Sequence, residues 1–274
     1  MQKYIWILKM EDLKLENLEQ KTFSEVENLL KPLDPLWFRG KDGISSFIRL
    51  LEKVIVGNGT FSHCGVVVTR DLMPWLKVLK PGVKYVWEST MSIPLAGFTD
   101  GVIDVETGKG KFGVQIRPLH EVIKEYTDQE DEAYVAWAPL KDSPWTESRK
   151  KYIQKTIRKL HKQIGTKTYE LNLIELVASL FPCIRHFSKT SEWIEDEIYD
   201  ILRNWKVVDD PEHDEDEDID AFYFCSELVA LIYKRVGVLD ESINPNTVVP
   251  MDLLGYDRDG IPNIAETQPV ILLP

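Results

Sequence analysis

Cysteine is scarce in this chain of 274 residues: Cys64, Cys183 and Cys225 are odd in number and far apart. A disulfide framework is therefore excluded, and a reducing compartment is expected. Basic charge is also short, with 33 Lys and Arg against 45 Asp and Glu, for a formal charge of -12. That balance argues against a nucleic-acid binder and against simple electrostatic attachment to anionic lipid, while cationic or neutral substrates fit it. No apolar run approaches the roughly 20 residues of a membrane-spanning helix. The N-terminal stretch from Met1 to Asp12 turns acidic without a small-residue cleavage site, so no signal peptide and a cytoplasmic location are expected. Internal repeats are lacking as well.

What remains is a globular composition, 43% hydrophobic and 28% charged, sized for one domain spanning 1–274. Its most informative stretch runs from Tyr223 to Gly237. From Cys225, the apolar residues Leu228, Val229, Ile232 and Val236 recur at helical spacing, and Gly237 supplies the stop. The thiol thus lies in a helix's first turn, near unpaired N–H groups and the positive end of the dipole, where thiolate is favoured over thiol. Free cysteines on apolar helices are commonly plain core residues. A catalytic role therefore requires a base partner.

The order of elements before that helix predicts a mainly antiparallel sheet with helices packed to one side, an α+β fold. Strands are expected at Tyr4 to Leu8, Asp34 to Gly40, Thr60 to Thr69, Lys84 to Ser89, Val114 to Pro118, Ala133 to Leu140 and Pro269 to Leu273. Helices are expected over Phe23 to Leu30, Ile44 to Ile55, Leu119 to Tyr126, Thr146 to Ile164, Leu171 to Phe181 and Ser191 to Trp205. Asp209 to Asp220 carries nine carboxylates in twelve positions and reads as a solvated loop. It has no glycine at the turn a calcium loop requires. The block from about 170 to 221 reads as a helical and acidic-loop insertion. Near the end, Pro250 to Leu254 reads as a helical turn.

Three segments form a constellation. His63 opens the strand Phe61-Ser-His-Cys-Gly65, Glu88 lies on the next strand, and Cys225 opens the helix. A thiolate to attack, an imidazole to carry the proton and a carboxylate to hold the ring make the cysteine version of a catalytic triad. Alternation puts His63 and Gly65 on one face and Cys64 on the other, where it reads as structural. Glu106, Asp104 and Ser89 are alternatives to Glu88 as the acceptor. No cofactor is expected, and the histidines and cysteines lack metal-ligand spacing.

These pieces resemble the permuted papain-like thiol hydrolases, the YiiX-type branch of the superfamily that includes NlpC-type cell-wall peptidases and lecithin retinol acyltransferases. In that branch the histidine strand precedes the cysteine helix, as here. Leu36-Trp-Phe-Arg-Gly40 with Ile44 to Ile48, Phe61 to Val67, Gly165 to Tyr169, Phe224 to Tyr233 and Val249 to Leu253 carry the likeness. The resemblance implies an antiparallel sheet or barrel packed against a nucleophile-bearing helix, with Cys225 as nucleophile, His63 as general base and Glu88 as orienting acceptor. Tyr169, Ser226 and Tyr223 become candidates for lining the site or stabilising an oxyanion. The implied activity is cysteine-dependent amide hydrolysis through an acyl-enzyme. Lipid acyl transfer or thioester chemistry and a catalytically inactive binding module are the alternatives. The implied partner is a small-molecule, peptide or lipid acyl substrate.

Overall fold

The β-branched run over His63–Thr69 makes the strand around which its neighbours are built. The structure, a computed structural model, describes residues 17–40, 59–90, 102–108, 113–128, 133–164, 225–255 and 261–274. Its strands are β1 (Gln20–Thr22), β2 (Pro35–Arg39), β3 (His63–Thr69), β4 (Lys84–Thr90), β5 (Gly113–Pro118), β6 (Tyr134–Trp137) and β7 (Val270–Leu273). They form one seven-stranded sheet in the order β1-β7-β6-β2-β3-β4-β5. β1 runs parallel to β7 and every other neighbouring pair is antiparallel, so the sheet is mixed. The helices are α1 (Phe23–Val26), α2 (Leu119–Thr127), α3 (Lys150–Ile164) and α4 (Cys225–Val236).

Helices cover both faces of the sheet, which corrects the expectation of a single covered side. On one face Cys64, Val66 and Val68 of β3 join Tyr85 and Trp87 of β4 in a core with α3 and α4. On the other, Val67 and Val86 pack with Leu36 and Phe38 against α1 and α2. The physical reason lies in the run Val66-Val67-Val68, which does not alternate with polar residues. A strand apolar on successive positions is buried on both sides.

Helix α4 is set down by its apolar stripe rather than by its thiol. Leu228, Val229, Ile232, Tyr233 and Val236 are all fully buried, each contributing about 1.5–3 kcal/mol. Gly237 ends the helix in the left-handed region at φ 78°. The Val238 N–H then reaches back to the Tyr233 carbonyl at 2.8 Å, a Schellman closure. At the other side of the helix the Tyr233 hydroxyl donates to the Leu33 carbonyl at 3.0 Å. Leu33 itself holds φ 73°, kept there by its N–H bond to Val67 at 2.8 Å. The segment after α4 is fixed too, since the Trp37 indole donates to the Pro250 carbonyl at 3.1 Å. The expected turn there is a 3-10 helix over Asp252–Leu254.

Two helix boundaries differ from the sequence reading. The first helix stops at Val26 instead of near Leu30, because the chain turns there toward the left-handed Leu33 and the strand opened by Pro35. Helix α3 starts at Lys150 because Thr146 closes a preceding turn, its carbonyl accepting from Arg149 and Lys150. The strand expected over Tyr4 to Leu8, the helices over Ile44 to Ile55, Leu171 to Phe181 and Ser191 to Trp205, and the acidic run lie outside the described residues.

Candidate active site

Glu88 is the buried hinge of the site. It sits mid-strand in β4 opposite Gly65 of β3 and Gln115 of β5, with no exposed side-chain surface. A carboxylate in such a place needs partners, and it has two. One oxygen lies 2.6 Å from His63 Nε2, and the other accepts from Arg117 Nε at 2.7 Å. Arg117, on β5, also donates to Glu125 of α2 at 2.9 Å. Burial alone would raise the Glu88 carboxyl, but the charges and hydrogen bonds of Arg117 and His63 outweigh it and hold the group at about 2.

Gly65 makes this approach feasible. A Cβ built there would stand 2.7 Å from Val86 Cγ2, 3.1 Å from Glu88 Cβ and 3.1 Å from the Trp87 carbonyl oxygen. Gly65→Ala is therefore expected to cost about 1–3 kcal/mol by overpacking and to displace Glu88 from beneath the His63 ring. A thermal-melt comparison with wild type checks the first effect, and the thiol reactivity of Cys225 checks the second.

His63 is the first residue of β3 and Cys225 the first residue of α4, and the charge of each shifts the ionisation of the other. Nε2 is committed to Glu88, so Nδ1 is the ring nitrogen left for another partner. The ring packs against Phe38, centroids 4.9 Å apart, and its side chain is 13% exposed. Burial disfavours the imidazolium, yet the Cys225 thiolate and the Glu88 carboxylate together push His63 up to about 9. Cys225 moves the opposite way. A hydrogen bond from the Cys64 thiol lowers it most, burial opposes, and the charge and hydrogen bond of His63 carry it well below the ordinary thiol range. These opposite directions favour a thiolate–imidazolium pair over the neutral pair.

The structure thus joins His63 to Glu88 and sets Cys225 at the start of α4, its ionisation shifted by the charge of His63. Of the alternatives to Glu88, Glu106 instead pairs with His161 of α3 at 2.8 Å. Asp104 accepts from the Ile116 N–H at 2.9 Å and from Thr107, and Ser89 alternates onto the other face of β4. Ser226 is buried in the first turn of α4. Tyr169 and Tyr223 lie outside the described residues. Cys64 lies buried in the core on the face that α4 covers, as its structural reading requires.

Arg117 and Glu125 were not singled out from sequence. A signal existed, because Arg117 follows the apolar Val114 and Ile116 in a strand, and a buried charged residue requires a partner. Among the described residues, no group of three or more His, Cys, Asp or Glu could hold a metal ion. No helix among them is long and apolar enough to cross a membrane. The chain matches no protein-family model and no curated protein.

Proposed function

We propose that the chain is a cysteine-dependent hydrolase of amide-type bonds with a permuted papain-like catalytic domain. The observation that carries this reading is His63, at the start of β3, bonded through Nε2 to the buried Glu88, with its ionisation and that of Cys225 at the start of α4 shifted by each other. A thiol, a base and an orienter in series are the arrangement nucleophilic acyl transfer needs.

In the proposed cycle the Cys225 thiolate attacks the substrate carbonyl carbon and the π electrons move onto oxygen. The first-turn N–H groups of α4, which have no intrahelical acceptor, are the donors available to the developing oxyanion. The His63 imidazolium gives its proton to the leaving amine, the carbon–nitrogen bond breaks, and a thioester remains on Cys225. Neutral His63 then removes a proton from water, which attacks the thioester and returns the thiolate. Glu88 keeps its negative charge throughout and holds the ring, with Arg117 fixing Glu88 from behind. Proton transfer by such a positioned base contributes about 10²–10⁴-fold in rate.

The test is a panel of amide and ester acyl probes followed by intact-mass measurement. An acyl adduct on Cys225 that vanishes in Cys225→Ala, together with turnover of amide probes, is the expected result. Absence of any Cys225 adduct sinks the hydrolase reading, and turnover of esters alone overturns the preference for amides.

A further inference from the structure

The chain is acidic as a whole, but its charge is unevenly placed. Six of its 33 basic residues fall within the 15 residues of α3, and none of its 45 acidic ones. At about 3.6 residues per turn, Lys151, Lys155, Arg158, Lys159 and Lys162 share one arc of the helix, opposite the buried Ile153, Ile157, Leu160 and Ile164. All five are exposed. At about 1.5 Å per residue the stripe is roughly 16 Å long. Among the described residues no carboxylate pairs with any of the five, whereas Lys150, outside the arc, reaches Asp71 at 2.8 Å. Like charges at i and i+4, as in Lys151, Lys155 and Lys159, destabilise a helix on its own, so the stripe does not serve folding. Its two edges are apolar. Tyr152, 57% exposed, lies one turn before Lys155. On the other side the segment after β3 runs along the helix: the Asp71 carbonyl accepts from Gln154 at 2.7 Å, and the Arg158 guanidinium sits 6.0 Å from the centre of the Trp75 ring. That segment goes on to Val78, 45% exposed.

We propose that the exposed face of α3 docks the protein on an anionic lipid bilayer, with the five cations against the headgroups and Tyr152 and Val78 flanking them. The formal charge of -12 argues against attachment by the chain as a whole. Screening, however, confines each surface charge to about 8 Å at physiological salt, so the local stripe decides. Charge complementarity requires an anionic partner, and two features select a bilayer. Four of the five cations are lysines, hydrated point charges without the planar fork that matches one particular carboxylate or phosphate. A row of them suits a surface dense in mobile anions. The exposed aromatic and aliphatic residues at the edges suit the membrane interface, where a ring finds an apolar and a wet environment together, and they have no comparable role against a phosphate backbone or an acidic peptide. The apolar face of α3 is already buried in the core, so the helix lies on the headgroups without inserting, and the attachment is reversible. The proposal does not depend on the chemistry of Cys225.

The experiment is co-sedimentation of the full chain with vesicles of phosphatidylcholine alone and of phosphatidylcholine with an equal part of phosphatidylserine, at low and at physiological salt. Wild type is compared with Lys155→Gln/Lys159→Gln on the stripe and with Lys31→Gln/Lys124→Gln, two exposed lysines away from α3, all checked for folding by circular dichroism. Wild type is expected to sediment with the phosphatidylserine vesicles only, and less as salt rises. Each lysine near such a surface is worth about fivefold in partition, so the stripe variant is expected to lose about 20–30-fold. The Lys31→Gln/Lys124→Gln variant is expected to bind as wild type does. Absence of sedimentation with phosphatidylserine, or sedimentation that both variants weaken equally, overturns the proposal. So does equal or tighter binding of duplex DNA or polyglutamate through the same lysines, which would make the stripe a site for a nucleic acid or an acidic protein.

Discussion

Glu88→Gln is expected to cost about 3–5 kcal/mol of folding stability, the range for breaking a buried ion pair by removing one partner. The amide preserves the shape of the side chain, so little of the loss comes from packing. What remains is Arg117, 4% exposed, with half of its compensation gone, and a His63 ring that has lost its carboxylate. Glu125 is the contrast. It bonds the same guanidinium at 2.9 Å but is 28% exposed, so Glu125→Gln is expected to cost about 1 kcal/mol or less. Adding Arg117→Met to Glu88→Gln recovers part of the stability, because the uncompensated charge is then removed, but does not restore Cys225 reactivity. The pH dependence follows from the depressed carboxyl. Its contribution is fully present above its ordinary value of 4.5 and is lost as pH falls through about 2. Denaturant unfolding of the three variants across that range measures all of these. A cost for Glu88→Gln no larger than that for Glu125→Gln contradicts the buried-hinge account.

His63→Ala is expected to slow alkylation of Cys225 near pH 6 by about 10–100-fold. At that pH an ordinary thiol is only about 0.3% ionised, so full ionisation is worth about 300-fold. The lower intrinsic nucleophilicity of a low-pKa thiolate takes back part of it. Removing the ring withdraws the neighbouring positive charge and a hydrogen bond from the sulfur. It leaves the lowering due to Cys64 and the start of α4 in place. The loss is therefore large without being complete. Because α4 is seated by its buried apolar stripe, the variant is expected to keep the fold.

Much of this was legible in the chain. The spacing of Leu228, Val229, Ile232 and Val236 with Gly237 behind them fixes both the reach and the inward face of α4, and these are local properties. The strand identity of His63–Thr69 follows from its β-branched composition, and the neighbouring strand carrying Glu88 follows in order. Arg117 was hidden because its partner depends on the register of β4 against β5, in which Val86 faces Arg117 and Glu88 faces Gln115. No local pattern encodes that register. Cys64 sits where alternation puts it, in the buried core. Alternation turns it away from the face of His63, and the helix bearing Cys225 packs on the face to which it turns. The covering of both faces was written in Val66-Val67-Val68 and was outweighed by the element order.

The most direct measurement is the pH profile of Cys225 alkylation by iodoacetamide in wild type and His63→Ala. With Cys225 lowered and His63 raised to about 9, the wild-type rate holds a plateau from well below the ordinary thiol range and changes again only near pH 9, where the imidazolium is lost. In His63→Ala the acid limb moves upward. A wild-type profile that rises with an ordinary thiol pKa, unaltered by His63→Ala, would contradict the existence of the ion pair and with it the proposed nucleophile.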